Sequence, residues 1–162
     1  MEIALMQSVN CPKVLACIDA FKWQGRVLMV LPLMDCGKLT SCLIDRHINR
    51  MGPFSQKSIK YLLYCICVGL NALHQMEILH RDIKSDNVFI SSTGKVTLAD
   101  LGLSVFLTQE TTHRQTKCGT INWMAPELIE GKPYSKSVDV WAVGITAYEF
   151  AALMPPFMSG DQ

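Results

Sequence analysis

Between Ser55 and Met76 the apolar residues Ile59, Leu62, Leu63, Ile66, Leu70 and Leu73 recur at threes and fours, which predicts a long helix with one buried face. Ser55 stands where the first helical turn needs an acceptor for its unpaired amides, and so predicts the N-cap. Leu39 to Arg50 carries the same spacing over a shorter span. Ser137 to Leu153 is a largely apolar helix stopped by Pro155-Pro156. Strand patterns are briefer. Lys13 to Phe21 and Arg26 to Leu31 are β-branched and apolar runs parted by Lys22-Trp23-Gln24-Gly25, a hairpin turn. Val88 to Ser91 and Lys95 to Ala99 form a second pair joined by Ser92-Thr93-Gly94. Leu128-Ile129 marks a short helical turn, and MEIALMQSVN looks like a chain entering in mid-helix. The polar, threonine-rich stretch from Thr108 to Ile121 lacks any period and reads as an exposed loop. The class that results is α+β, with helices in the majority.

Composition narrows this further. With 162 residues, 49% of them hydrophobic and 18% charged, the chain can close one core. Fifteen Lys and Arg against 14 Asp and Glu leave no concentrated basic field, so a nucleic-acid partner is not expected. Seven scattered cysteines (Cys11, Cys17, Cys36, Cys42, Cys65, Cys67 and Cys118) include no CxxC pair with downstream ligands. They imply reduced thiols in a cytosolic or nuclear protein, and a cytoplasmic location is expected. The start has neither the basic region nor the cleavage pattern of a signal peptide. Tyr61 to Leu70 and Val140 to Met154 fall short of the roughly 20 apolar residues of a membrane span. His47, His74 and His113 have no metal-ligand spacing and are expected as surface or capping residues.

The second hairpin carries the chemistry. In an antiparallel pair the start of the first strand lies beside the end of the second. Asp82 and Asn87, just before Val88, are thereby brought near Asp100, just after Ala99. Two carboxylates and an amide oxygen then face one space, a hard oxygen set suited to Mg²⁺ completed by substrate phosphates. Arg81 and Lys84 stand between them and can neutralise phosphate oxygens.

The segment His80-Arg81-Asp82-Ile83-Lys84-Ser85-Asp86-Asn87 resembles the catalytic loop of protein kinases, and Asp100-Leu101-Gly102 their metal-binding Asp-Phe-Gly, with Leu for Phe. Ala125-Pro126-Glu127 matches the motif that closes the activation segment. The match covers nearly the whole chain. Together with Gly119-Thr120 and Trp123-Met124, it resembles the PAK-like branch of Ser/Thr protein kinases most. The resemblance implies ATP and Mg²⁺ as cofactors and protein substrates with Ser or Thr acceptors. It makes Asp82 the base that orients the acceptor hydroxyl, Lys84 the stabiliser of the transferring phosphoryl group, and Thr120 the hydroxyl bonded to both. Asn87 and Asp100 would hold the metal. For the adenine pocket it implies Leu31 as gatekeeper, backbone groups of Pro32 and Met34 as hydrogen-bonding partners, and Phe89 as the floor; proline there forfeits only an N–H. Leu101 would pack against His80, a structural histidine, and against the helix that carries Glu2. Asp139 matches an Asp that accepts hydrogen bonds from the catalytic-loop backbone. Thr116, four residues before Thr120, matches an activating phosphosite for an upstream kinase, with Arg81 as its partner. Thr108, Thr111 and Thr112 stand near enough to compete for that assignment.

Residues 1–31 then read as a two-strand remnant of the small lobe, 32–38 as the hinge and 39–162 as an incomplete large lobe. The Gly-rich loop and the Val-Ala-x-Lys strand that hold ATP phosphates in kinases do not occur in this sequence. Glu2 matches the helix Glu whose partner is that Lys, and the expectation is that the Lys lies upstream of the sequence given. Glu127 would pair with an Arg downstream of Phe157. Beside the enzyme stands a second reading, a catalytically impaired piece that binds partners or competes with a longer relative. A non-kinase nucleotide or metal binder is a third, with little in the sequence behind it.

Overall fold

A computed structural model describes residues 2–108 and 113–156. Helix α1, Glu2–Ser8, buries Leu5 and Met6. The strand expected from Lys13 begins only at Asp19. Lys13 to Leu15 instead turn their hydrogen bonds onto the second hairpin: Leu98 N–H donates to Lys13 O at 2.8 Å, and Leu15 N–H to Leu98 O at 2.8 Å. Strands β1, Asp19–Trp23, and β2, Arg26–Val30, pair in antiparallel register from Asp19↔Val30 to Trp23↔Arg26. Their turn is Gln24-Gly25 alone, with φ of 47° and 75°, a two-residue turn whose handedness suits strand twist. Trp23 is thus a strand residue rather than part of the turn. Both faces of this hairpin are exposed, Phe21, Trp23 and Val27 among them.

Helix α2 runs Leu39–Ile48 and α3 Gln56–Gln75. The Ser55 side chain accepts from Ser58 N–H at 3.1 Å, the cap that the sequence predicts. The buried residues of α3 are Leu62, Cys65, Ile66, Gly69, Leu70 and Leu73. Gly69 is where the helix touches the Lys13 backbone: a Cβ there would lie 2.7 Å from Lys13 O. Two very short strands that the sequence did not announce, β3 (Ile78–Leu79) and β6 (Val105–Phe106), pair with each other. Two residues are too few to show a period. Between them lie the predicted catalytic loop and the second hairpin, β4 (Val88–Ile90) with β5 (Val96–Leu98).

The helical turn expected at Leu128 is α4, Pro126–Glu130, with Pro at its first position and Gly131 closing it at φ 72°. Helix α5 runs Ser137–Ala152, and Leu153 caps it in the left-handed region. The main core gathers α1, α2, α3, the second hairpin and Phe150 of α5. A smaller cluster of Leu79, Ala125, Leu128, Tyr134 and Val138 sits under the loop that ends at Thr120. All seven cysteines are free thiols. Among the described residues no helix is long and apolar enough to cross a membrane.

Candidate active site

The loop after β3 is built around buried hydrogen bonds rather than regular structure. His80 is fully buried. Its Nδ1 accepts from Asp82 N–H at 3.2 Å, which leaves Nε2 as the donor to Ala99 O at 3.1 Å. Burial pushes its pKa below the ordinary value against the opposing charge of Asp139, so the ring is neutral and structural. Asp139, also fully buried at the start of α5, accepts from His80 N–H at 2.9 Å and Arg81 N–H at 2.8 Å. His74 Nε2 bonds the same carboxylate at 2.8 Å. His74, expected as a surface or capping residue, is thus a buttress of the loop.

Arg81 takes up φ 68° and Asp100 φ 63°, a left-handed backbone that side-chain-bearing residues rarely adopt and that concentrates at functional sites. Gly119 passes so close that a Cβ on it would lie 2.5 Å from Arg81 O, and its own φ is 114°. Only glycine fits there.

That approach delivers Thr120 to Asp82. Asp82 Oδ1 accepts from Thr120 Oγ1 at 2.7 Å and from Thr120 N–H at 3.1 Å. Asp82 Oδ2 faces Lys84 Nζ at 2.8 Å and accepts from Asn87 Nδ2 at 2.9 Å. Lys84 also donates to Thr120 Oγ1 at 2.5 Å. Burial pushes the Asp82 carboxyl up, but the hydrogen bonds from Lys84, Thr120 and Asn87, with the Lys84 charge, hold it below the usual range. Asp82 is an ionised, weakly basic acceptor.

Asn87 donates a second bond, to Asp82 O at 2.7 Å. With its Nδ2 spent twice on Asp82, Oδ1 is the atom left for a cation. Asp100 is exposed, and one of its carboxylate oxygens accepts from Gly102 N–H at 3.2 Å. Ala99 N–H donates to Asn87 O at 2.8 Å, so the hairpin sets the two residues side by side. An amide oxygen and a carboxylate oxygen fit Mg²⁺ better than a softer metal. Among the described residues no cluster of three His, Cys, Asp or Glu could hold a metal by itself.

Asn87 and Asp100 open onto a cavity of about 270 Å³, lined also by Glu2, Met6, Leu15, Met29, Leu31, Lys38, Asp86, Phe89 and Ala99. Leu31, Phe89 and Glu2, the residues expected at a nucleotide, all line this cavity. Pro32 and Met34 are not among the lining side chains; Met34 is buried and its carbonyl accepts from Gly37 N–H at 2.9 Å. Glu2 makes no ion pair among the described residues. Its carboxylate lies next to Asp100, since a Cβ on Gly102 would stand 3.7 Å from Glu2 Oε2 and 3.1 Å from Asp100 Oδ1. Leu101 is buried, as expected of an apolar stand-in for Phe.

Thr116 is exposed, and Thr111 and Thr112 fall outside the described residues. No direct bond joins Arg81 to Thr116. Instead the Tyr134 hydroxyl lies between, accepting from Arg81 Nη1 at 3.1 Å and donating to Thr116 O at 2.7 Å.

Glu149 interrupts the apolar run from Val140 to Met154, and the expected site residues do not include it. It is 4% exposed. Its carboxylate accepts from Ser85 Oγ, from Ser85 N–H at 3.3 Å and from Trp123 Nε1 at 3.2 Å. Thr40 Oγ1, 2.6 Å from Ser85 Oγ, completes a polar link from α2 to α5 through the catalytic loop. Its place on the buried stripe with Ala142, Ile145 and Thr146 was the readable signal.

Comparison with known proteins gives the chain that carries this carboxylate, amide and lysine constellation a family. The protein kinase domain matches residues 1–162, and the chain belongs to that family. Over 164 residues it is 34% identical to the serine/threonine-protein kinase CLA4 of Eremothecium gossypii, covering 99% of this chain and 21% of that protein. It is 37% identical over 165 residues to the serine/threonine-protein kinase SKM1 of Saccharomyces cerevisiae, covering 99% and 25%. It is 38% identical over 158 residues to the serine/threonine-protein kinase pakC of Dictyostelium discoideum, covering 97% and 32%. The chain spans between a fifth and a third of the length of these three relatives.

Proposed function

We propose that this chain carries the base and metal side of an active site that transfers the γ-phosphoryl group of Mg·ATP to Ser or Thr hydroxyls of proteins. The observation that carries the reading is the Asp82 carboxylate held between Lys84, Thr120 and Asn87, with the cavity at Asn87 and Asp100 beside it. Bound Mg²⁺ would supply the positive charge that screens the phosphate oxygens. Asn87 Oδ1 and an Asp100 carboxylate oxygen would hold it. Leu31 and Phe89 offer apolar walls for an adenine ring.

Asp82 accepts the hydrogen bond of the acceptor hydroxyl and aims its oxygen at the γ-phosphorus. The new O–P bond forms as the bond to the β,γ-bridging oxygen breaks, and ADP departs. Because its carboxyl is held low, Asp82 orients the hydroxyl first and takes the proton only as the oxygen bonds to phosphorus and grows acidic. Lys84 places its ammonium where charge builds on the moving group. Thr120 fixes both.

A second reading, an interaction or competitor module of low activity, is favoured by one observation. Glu2 has no cationic partner among the described residues. Phosphorylation of a basic Ser/Thr peptide by the purified chain, dependent on Mg·ATP and abolished by Asp100→Ala, is the outcome expected of the enzyme. A folded protein that neither transfers phosphate nor binds nucleotide would overturn it in favour of the module. We place the protein in the cytoplasm and assign Thr116, beside Arg81, as the site on which an upstream kinase acts.

A further inference from the structure

We infer that Tyr134 is a positioning residue that tethers the Thr116 segment to Arg81 before any phosphate is attached. Tyr134 is 2% exposed, its ring packed with Leu79, Ala125, Leu128 and Val138. Its hydroxyl is satisfied on both sides, as acceptor from Arg81 Nη1 and donor to Thr116 O. Its backbone adds a second attachment: Arg114 N–H donates to Tyr134 O, and Tyr134 N–H to Arg114 O, both at 2.9 Å. Arg114 reaches on to Phe106 O of β6. Arg81 Nε donates to Leu103 O at 2.7 Å. One buried phenol therefore joins the catalytic loop to the loop with Thr116, and Arg81 carries the link on to the stretch after Asp100.

The chemistry follows from valence. A phenol offers one donor and one acceptor, and here both are spent inside the protein. Removing the oxygen takes that partner from an Arg81 N–H and from the Thr116 carbonyl, and a part-buried hydrogen bond from a charged group is among the stronger ones to lose. The loop from Arg114 to Gly119 then loses its attachment to Arg81, although the ring still fills its pocket. A phosphate on Thr116 brings three acceptor oxygens and nearly two negative charges to the same guanidinium. Tyr134 does with one hydroxyl, in the unmodified chain, what the phosphate does afterwards. This second half rests on Thr116 and Arg81 acting as proposed above.

Tyr134→Phe tests it, since the variant keeps the ring and its packing. In the 162-residue chain, amide hydrogen exchange across 113–118 should quicken about tenfold, while α3 stays as protected as in the parent. Phosphorylation of Thr116 should return that protection to the parent level. In phosphotransfer, unphosphorylated Tyr134→Phe should lose kcat with KM for nucleotide unchanged, and the phosphorylated variant should recover it. Tyr148→Phe, on the exposed face of α5, serves as a control that should move nothing. Equal exchange in parent and Tyr134→Phe would overturn the tether. Loosening that phosphate does not repair would overturn the equivalence with phosphate. If the parent itself transfers no phosphate, the proposed function fails while the exchange data still decide for or against Tyr134.

Discussion

At the scale of single residues, two carboxyls near the same loop are pulled in opposite directions. Asp82 is buried, yet Lys84, Thr120 and Asn87 bond its charged form and lower its pKa. That stabilisation is present above the ordinary Asp value of about 3.9 and is lost as pH falls through the lower folded value. Glu149 has the reverse sign. Burial raises it more than Ser85 and Trp123 lower it, so its contribution is full below the ordinary Glu value of about 4.3 and fades as pH rises through the higher folded value. Glu149→Gln keeps a carbonyl for Trp123 and an amide that Ser85 can accept. Its unfolding free energy at pH 7 should equal or exceed the parent's. Denaturant titrations from pH 4 to 8 would check this, the variant showing the flatter profile. Gly119→Ala should lose on the order of 1–3 kcal/mol from its left-handed φ alone, and more because Arg81 O stands where the methyl would go. A lowered melting temperature together with weakened phosphotransfer is the expected pair of results.

Among the elements, α3 sets local propensity against tertiary contact. Alanine is favoured over glycine inside a helix by about 0.5–1 kcal/mol, so at Gly69 a helix considered alone gains from Gly69→Ala. In the folded chain the new methyl meets Lys13 O at 2.7 Å, and that oxygen already accepts from Leu98 N–H. The contact is with backbone, which cannot swing aside as a side chain would. The substitution is therefore expected to destabilise, by about 1–3 kcal/mol as overpacking does, read as a lower denaturation midpoint at unchanged slope.

For the whole molecule the consequence is uneven stability. The second hairpin, α3 and α5 share one core, whereas β1 and β2 leave Phe21, Trp23, Val27, Leu28, Met29 and Val30 exposed on a two-strand sheet. An isolated pair of strands is marginal in water. Native-state hydrogen exchange should find the slowest amides in α3 and β5 and the fastest structured amides in β1 and β2. Uniform protection across the chain would contradict that ordering. Met29 of β2 and Leu31 just after it form one wall of the cleft, so nucleotide should slow exchange there more than in α5.

What the sequence determined by itself was whatever local chemistry enforces. The apolar spacing and Ser55 delimit α3 to a residue. The second hairpin puts Asn87 beside Asp100, and the order of His80 to Asn87, Asp100 to Gly102 and Ala125 to Glu127 fixes the family. Those features rest on periodicity, turn chemistry and spacing along the chain. Tertiary structure decided where distant segments meet. Lys13 to Leu15 bonded β5 instead of extending β1, because a strand's partner is set by the rest of the fold. His74 became a ligand of Asp139 across 65 positions, Glu149 was drawn under Ser85 across 64, and Tyr134 came between Arg81 and Thr116. A buried polar group takes its partner from whichever segment packs against it, and no pattern along the chain records which one that is.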